Sequence, residues 1–203
     1  MRVFTFSPKD YFGSNMYILD SDGCGAVIDP SVDYSDVKDM LEDKNIKIKY
    51  IILTHVHFDH IFSLDSWKEN TEADVIVGKD EAPALKDPYL NCYKIFLRIN
   101  KAYNGDYKTV KDGDLLQLGD NQLQIIETPG HSTGSISIFA SDMLFVGDTV
   151  FAGNSVGRTD LPGGNTHKLY ASINKLSLLP PDTTVYTGHG ESTTVLEIKS
   201  NFI

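Results

Sequence analysis

The chain has 203 residues, enough for one domain with a sizeable apolar core. Its composition, 41% hydrophobic and 23% charged, is that of an ordinary globular protein and argues against wholesale disorder. Eighteen basic against 28 acidic residues give a net charge of −10, which repels nucleic acids and anionic membrane surfaces.

Other global features narrow the class further. The two cysteines, Cys24 and Cys92, do not make a disulfide framework. The first ten residues lack the apolar stretch of a signal peptide, and no window approaches a membrane span. We therefore expect a single cytoplasmic domain over residues 1–203 that acts on a small molecule, with neither nucleic acid nor membrane as partner.

Short apolar runs rich in β-branched and aromatic residues, bounded by Gly, Pro and Asp, predict ten strands. In chain order these are Val3–Phe6, Met16–Leu19, Ala26–Ile28, Tyr50–Leu53, Val75–Val77, Leu115–Leu118, Leu123–Glu127, Ser135–Phe139, Met143–Val146 and Thr184–Tyr186. Helical spacing of apolar residues predicts helices over Tyr34–Asp43, around Ile61–Trp67 and over His167–Leu179. Strands with interspersed helices indicate an α/β sandwich rather than an all-β barrel.

One long stretch, Lys79–Lys111, has no clear strand character and only weak helical character around Asn91–Lys101. It carries Tyr89, Tyr93, Tyr103 and Tyr107. Tyrosine combines an apolar body with a polar tip, which suits a partly exposed surface or the rim of a pocket. Two interpretations stay open: an ordinary helical cover, or a lid that lines a substrate pocket.

Five of the six histidines fall in or beside Gly- and Asp-rich motifs. The first motif, Thr54–His60, directly follows the apolar strand Tyr50–Leu53. Residues two apart in an extended segment point the same way, so His55 and His57 can present their rings to one metal ion. Asp59 and His60 then lie where they can reach a second ion. Imidazole and carboxylate are the ligands that zinc, iron and manganese take.

Three further motifs follow predicted strands, namely Thr128–Ser135 with His131, Phe145–Asp148, and Tyr186–Gly190 with His189. Loops at the carboxyl ends of strands commonly build the sites of α/β proteins. A lone histidine or aspartate in such a turn is more often structural, but four motifs at four strand ends favour a metal site. The remaining histidine, His167, lies at a predicted helix start and is expected on the surface.

The series His55, His57, Asp59, His60, His131, Asp148, His189 resembles the metallo-β-lactamase superfamily. The similarity extends from Val27-Ile28-Asp29-Pro30 to Gly188-His189-Gly190. It implies a four-layer αβ/βα sandwich with two mixed sheets and helices outside. It further implies a first metal on His55, His57 and His131, a second on Asp59, His60 and His189, and Asp148 as a bridge. Asp29 resembles an acid that orients a metal-bound histidine.

Three runs, Gly147–Gly153, Gly157–Gly164 and Gly188–Thr194, are similar to the small glyoxalase II-like group within that superfamily. This resemblance implies a thioester hydrolase with two divalent ions, zinc first and iron or manganese as alternatives. Ions roughly 3.5–4 Å apart can share a hydroxide, because they lower the pKa of bound water toward about 7. Asp59 and Asp148 are then the catalytic carboxylates.

Two features bear on the substrate. Arg158 is a candidate clamp for a substrate carboxylate, with a structural salt bridge as the alternative. The segment after His60 reads Ile61-Phe62-Ser63, where many family members carry glycines. The sequence also has few residues after Gly190, where full-length glyoxalase II has a helical domain that holds glutathione. Glutathione as part of the substrate therefore stays open.

Other members of the superfamily supply the competing functions. A persulfide dioxygenase shares a Gly-Arg-Thr-Asp stretch but uses one iron on two histidines and an aspartate. The net charge of −10 argues against a nucleic-acid phosphodiesterase. A lactonase often has tyrosine where this chain has Phe151, and a true β-lactamase usually lacks the pair Asp59 and Asp148 and is secreted. The complete ligand set argues against a non-catalytic metal-binding regulator.

Overall fold

The computed structural model describes residues 1–8 and 13–202. Its strands are β1 Arg2–Phe6, β2 Met16–Ser21, β3 Cys24–Ile28, β4 Lys47–Leu53, β5 Asp74–Gly78, β6 Lys108–Val110, β7 Leu115–Leu118, β8 Asn121–Glu127, β9 Ile136–Ala140, β10 Met143–Gly147, β11 Val150–Phe151, β12 Ser155–Val156, β13 Thr184–Thr187 and β14 Thr193–Thr194. Its α-helices are α1 Lys38–Asp43, α2 Leu64–Asn70, α3 Thr166–Leu176 and α4 Val195–Phe202. Within these ranges, no helix combines the length and the apolar character needed to cross a membrane.

The strands form two mixed sheets of six and a two-stranded ribbon. The first sheet has the order β1-β2-β3-β4-β5-β6, with antiparallel pairing up to β3 and parallel pairing from β3 to β6. The second has the order β14-β13-β10-β9-β8-β7, in which only β10 and β13 pair in parallel. Strands β11 and β12 form the ribbon. Parallel neighbours bring their carboxyl ends to the same sheet edge, where the histidine motifs follow.

Alternating side chains bury both faces of each sheet. On β2, Leu19 packs between the two sheets beside Phe145 of the second sheet's core, whereas Ile18 packs on the outer face with Trp67 of α2. Leu144 points outward from the second sheet and joins Ile173 of α3. The apolar core therefore lies in three layers separated by two sheets, and the predicted αβ/βα sandwich is confirmed.

All ten predicted strands overlap observed strands, but the sequence analysis missed β6, β11, β12, β14 and α4. The four missed strands have two or three residues each, too few to show an alternating pattern. The predicted helix over Tyr34–Asp43 is divided, since Asp33 caps a 3-10 turn over Tyr34–Asp36 through the backbone N–H of Ser35. The helix predicted around Ile61 begins only at Leu64.

The segment between β5 and β6 has an irregular backbone. It contains a 3-10 turn over Ala82–Lys86 and a π-helical turn over Tyr93–Leu97. The π-helical turn is flanked by Cys92 and Arg98, whose φ angles of 66° and 59° lie in the left-handed region. These two residues break the regular helical pattern, which explains the weak helical periodicity there.

Candidate metal centre

The four histidine and aspartate motifs converge at one edge of the sandwich. His55 and His57 follow β4, His131 follows β8, and Asp148 and His189 follow β10 and β13. Their nitrogen and oxygen atoms fall into three overlapping groups, within each of which the atoms lie within 4.8 Å of one another. The groups are His55 with His57 and His131, His55 with His60 and Asp148, and Asp59 with His60 and His189. All seven predicted ligands are therefore brought together.

Glycine is required at two of the strand ends. A Cβ atom on Gly188 would lie 2.1 Å from Oδ1 of Asp148 and 2.8 Å from the ring of His60. Gly147 has a φ of 51°, and a Cβ there would lie 2.3 Å from Oγ1 of Thr54. The motif glycines thus let the backbone approach the ligand side chains closely.

The first cluster, His55, His57 and His131, is buried and made only of imidazoles. Nδ1 of His57 lies 2.9 Å from Nε2 of His131, so the two nitrogens face one point. Burial, reinforced by neighbouring histidines, lowers the pKa of His55 well below its usual range and that of His57 to about 3. Both rings are neutral at pH 7, the form in which imidazole binds a metal ion.

The second cluster, Asp59, His60 and His189, carries charge. Oδ2 of Asp59 lies 3.1 Å from Nε2 of His189 and 3.7 Å from Nε2 of His60. Burial lowers the pKa of His60, but the carboxylates of Asp148 and Asp29 outweigh it and hold that pKa well above its usual range. The pKa of His189 is also raised, because its hydrogen bond to Asp59 outweighs burial. The second cluster therefore holds protons when no metal is bound.

Asp148 lies between the two clusters. Its Oδ1 is 3.3 Å from Nε2 of His60, while its Oδ2 is 3.6 Å from Nε2 of His131 and 3.6 Å from Nε2 of His189. Burial raises the pKa of this carboxyl, but His60 outweighs burial and holds the pKa well below its usual range. One ionised carboxylate thus faces both clusters.

Hydrogen bonds from the opposite ring nitrogens orient three of the histidines. We assign Nδ1–H donation from His60 to Oδ2 of Asp29 (2.8 Å), from His131 to the carbonyl of Arg158 (2.8 Å) and from His55 to Oγ1 of Thr54 (3.1 Å). In the neutral, metal-binding form of each ring, these tautomers leave the Nε2 lone pair pointing into the clusters. Nε2 of His55, Nε2 of His60 and Oδ1 of Asp148 are buried without a hydrogen-bond partner among the described residues. Because such atoms are costly to leave unpaired, the cluster fits bound metal ions.

A cavity of about 290 Å³ opens onto the clusters. Its lining consists of His57, Phe58, Asp59, Cys92, Phe96, His131, Asp148, Arg158, Leu161 and His189. A larger cavity of about 600 Å³ adjoins it across Phe58. Burial raises the pKa of the Cys92 thiol to about 12, so this cysteine is protonated at neutral pH and is not a nucleophile.

Arg158 lies at the exposed mouth of this cavity, as its prediction as a substrate clamp requires. However, its Nε and Nη2 atoms donate to the two carboxylate oxygens of Asp160, each at 2.7 Å. The structural salt bridge weighed as the alternative is therefore formed. A substrate carboxylate would have to displace Asp160 from this edge of the guanidinium or use the N–H groups that Asp160 leaves free.

The segment between β5 and β6 borders the cavity, but not through its tyrosines. Cys92 and Phe96 provide its contribution to the lining, whereas Tyr93 and Tyr103 are buried in the core and Tyr89 is 55% exposed. The idea that these tyrosines line the pocket is thus wrong. Phe96 was overlooked because an aromatic residue without a polar group gives no chemical signal in a sequence.

Two other residues can be compared with the sequence analysis, one that it placed on the surface and one that it did not single out. His167 is exposed on α3, as predicted. Glu81, which the sequence analysis did not single out, is buried beside the first cluster and bonds to the loops that carry its histidines. A signal was present, because an acid that soon follows a buried strand lies at the same sheet edge as the His55 motif.

Comparisons with known proteins agree with this geometry. The sequence matches the "Metallo-beta-lactamase superfamily" over residues 10–189. It is 37% identical over 187 residues to "Probable metallo-hydrolase YqgX" of Bacillus subtilis, covering 90% of this chain and 88% of that protein. The BLEG-1 B3 metallo-beta-lactamase superposes with a TM-score of 0.89 at 31% identity, covering 99% of this chain and 98% of that one. TTHA1623, solved in a di-iron-bound form, superposes with a TM-score of 0.84 at 26% identity over 99% and 98% of the two chains. The chain belongs to the metallo-β-lactamase superfamily.

Proposed function

We propose that this protein is a metal-dependent hydrolase that cleaves thioesters of small molecules with two divalent metal ions, zinc first and iron or manganese as alternatives. The observation that carries the proposal is the placement of Asp148, whose carboxylate oxygens lie 3.3–3.6 Å from histidines of both clusters. His55, His57 and His131 would hold one ion and Asp59, His60 and His189 the other, with Asp148 between them. The di-iron form of TTHA1623 supports a two-ion arrangement in this fold.

A pair of divalent ions held by these residues would supply a hydroxide nucleophile at neutral pH and polarise the scissile carbonyl. The chain contributes orientation and surroundings. The pKa of Asp59 is lowered, since His60 outweighs the effect of burial, so its carboxylate is ionised and can accept a hydrogen bond from the attacking water. Phe58 and Phe96, with ring centroids 5.5 Å apart, form an apolar wall that limits the access of bulk water to the reacting carbonyl.

The protonation states of the cavity favour a thioester over an oxygen ester or an amide. Asp59 and Asp148 are ionised at neutral pH, and the Cys92 thiol has a pKa near 12. The two ionised carboxylates hold no proton for a strongly basic leaving group at pH 7, and the buried Cys92 thiol is only a very weak acid. A thiolate leaves as an anion without such a donor, because thiols have pKa values near 8.5.

Two alternatives remain as competing hypotheses. A persulfide dioxygenase-like reaction needs a single iron ion on two histidines and an aspartate, yet here the second cluster is complete. Hydrolysis of a β-lactam is favoured by the similarity to the BLEG-1 B3 metallo-beta-lactamase. The amide nitrogen that leaves from a β-lactam needs a proton, which makes this reaction less suited to the ionised carboxylates described above.

The test combines a metal count with a substrate panel. Purified protein is analysed for zinc, iron and manganese, and assayed with S-lactoylglutathione, simple acyl thioesters, a chromogenic β-lactam and, by oxygen uptake, a persulfide. We expect two ions per chain, thioester hydrolysis that a chelator abolishes, and recovery when a divalent metal is restored. Full hydrolysis after exhaustive metal removal would contradict the proposal, and so would a single iron with persulfide-dependent oxygen uptake.

Matched histidine variants distinguish the site from the surface. His189→Ala removes a ligand of the second cluster and should lower both metal content and thioester hydrolysis. His167→Ala changes an exposed histidine on α3 and should leave both unchanged. Equal behaviour of the two variants would show that the clusters are not the reaction centre.

A further inference from the structure

Glu81 is a buried acid that the reaction described above does not use. It lies three residues after the end of β5, and only 2% of its surface is exposed. Its Oε1 accepts the backbone N–H of Val56 at 3.2 Å, and Val56 is the residue between His55 and His57. One carboxylate oxygen is thereby bonded to the loop that carries two of the three ligands of the first cluster.

The other carboxylate oxygen is bonded to the loop of the third ligand. Oε2 of Glu81 accepts the hydroxyl of Ser132 at 2.8 Å and the backbone N–H of Gly134 at 2.8 Å. Ser132 directly follows His131. One side chain therefore connects the two separate loops that must bring their imidazoles to a common point.

The packing around Glu81 is tight enough to hold this arrangement. A Cβ atom on Gly134 would lie 2.2 Å from the backbone nitrogen of Glu81, and one on Gly78 would lie 2.4 Å from the carbonyl oxygen of Gly134. Both positions need glycine for the two loops to approach the acid. The Oγ atoms of Ser132 and Ser135 lie 2.5 Å apart, which further limits rotation of the Ser132 hydroxyl.

We propose that Glu81 is the positioning residue of the first metal cluster, acting on His55, His57 and His131 through the two loops rather than by coordination. The inference rests on the proposed metal-binding role of the clusters. Two physical effects support it. The three hydrogen bonds hold the histidine loops at one separation. They also favour the ionised carboxylate against the burial that raises the pKa of Glu81, so that its charge can compensate an ion held by three neutral imidazoles. Asp29 has the corresponding position in the second cluster, where it binds His60.

The test is the variant Glu81→Gln, studied by metal binding rather than turnover. The amide of glutamine has a single oxygen. If this oxygen keeps the bonds from Ser132 and Gly134, the NH₂ group faces the N–H of Val56, and that hydrogen bond is lost because both groups are donors. We expect one of the two bound metal ions to be weakened by about 10- to 100-fold while the other keeps its affinity. Metal-free protein is titrated with zinc against a chromophoric chelator, and cobalt spectra identify which cluster has lost its ion.

Asp20→Asn is the matched control. Asp20 is 1% exposed and accepts hydrogen bonds from Nε of Arg2 (2.9 Å) and from the N–H of Gly23 (2.8 Å), at the opposite end of β2 from the metal centre. This variant makes the same chemical change at a buried acid, so it should lower thermal stability and still bind two ions with wild-type affinity.

If Glu81→Gln also lowers stability but binds both ions like the wild type, Glu81 is purely structural and the inference is wrong. If Glu81→Gln does not fold, Ser132→Ala decides, because it removes one of the three bonds and keeps the charge. A severalfold weakening at the first cluster then supports the inference, and unchanged affinity overturns it. These outcomes do not depend on thioester turnover, so a protein that binds two ions but cleaves no thioester would refute the proposed function and leave this inference standing.

Discussion

Replacing Asp29 with asparagine tests how the second cluster is prepared for a metal ion. Oδ1 of Asp29 accepts the N–H of Thr54 at 2.7 Å, and Oδ2 accepts both the Thr54 hydroxyl at 2.6 Å and Nδ1–H of His60 at 2.8 Å. All three donors are buried. The variant Asp29→Asn keeps the shape of the side chain, and asparagine tolerates the φ of 53° at this position. It replaces one acceptor with a donor.

The expected loss of metal affinity at the second cluster follows from the hydrogen-bond donor that the variant leaves unpaired. In metal-free protein we expect the amide oxygen to keep the Thr54 N–H and the NH₂ group to face His60, whose ring then accepts at Nδ1 and carries its proton on Nε2. Metal binding needs that Nε2 lone pair, so the amide must turn and leave the buried N–H of Thr54 unpaired. An unpaired buried donor costs about 1–3 kcal/mol, which corresponds to a loss of about 5- to 150-fold in affinity at the second cluster.

Two measurements check this reasoning. Nitrogen chemical shifts of metal-free protein report the tautomer of His60, and a zinc titration against a chromophoric chelator gives the affinity at each cluster. The control Thr54→Val removes the hydroxyl but keeps both the backbone N–H and the bond between Asp29 and His60, so the second cluster should bind as in wild type. Unchanged affinity in Asp29→Asn, with the proton of His60 still on Nδ1, would refute the account.

Three further predictions concern the partition of ligands between the two ions, the pH dependence of stability and the reactivity of the two thiols. His131→Ala should lose the ion of the first cluster and His189→Ala should weaken only the ion of the second, as judged by metals bound per chain; two firmly bound ions in both variants would disprove the partition. The raised pKa values of His60 and His189 stabilise metal-free protein fully below their usual pKa of about 6.5, and this stabilisation is lost as pH rises through the folded-state values. The free energy of unfolding of chelator-treated protein should therefore fall from pH 6.5 upward in denaturant titrations, and a rise would contradict the assignment. Finally, at about pH 8 a thiol reagent should modify the partly exposed Cys24, whereas Cys92 should react only after unfolding. Rapid modification of both cysteines in the native protein would show that the cavity wall is open.

Much of the candidate site could be predicted from the sequence because its chemistry is local. The four ligands of the Thr54–His60 motif depend only on two-residue spacing in an extended segment and on the turn after it. The Gly-His and Gly-Asp pairs mark strand ends, since glycine permits the sharp turn and close approach seen at Gly188. Short continuous apolar runs predicted the strands, because a strand buried on both faces needs apolar residues at nearly every position.

Features that depend on distant parts of the chain could not be predicted in this way. The strand β6 has three residues and exists because β5 offers it a parallel partner. Tyr93 and Phe96 lie three residues apart in one irregular turn, yet one is buried in the core and the other lines the cavity, since the backbone around Cys92 and Arg98 leaves the helical path.

The sequence by itself determined which residue types stand at the strand ends, and therefore that this protein carries a cluster suited to metal ions. Only the tertiary structure decided how those residues combine. It set His131 against His57, placed Asp148 between the clusters, engaged Arg158 with Asp160 and brought Glu81 to both histidine loops. The physical reason is that hydrogen bonds and ion pairs depend on distances of about 3 Å between atoms, and such distances between remote segments are fixed only when the two sheets and their loops have packed.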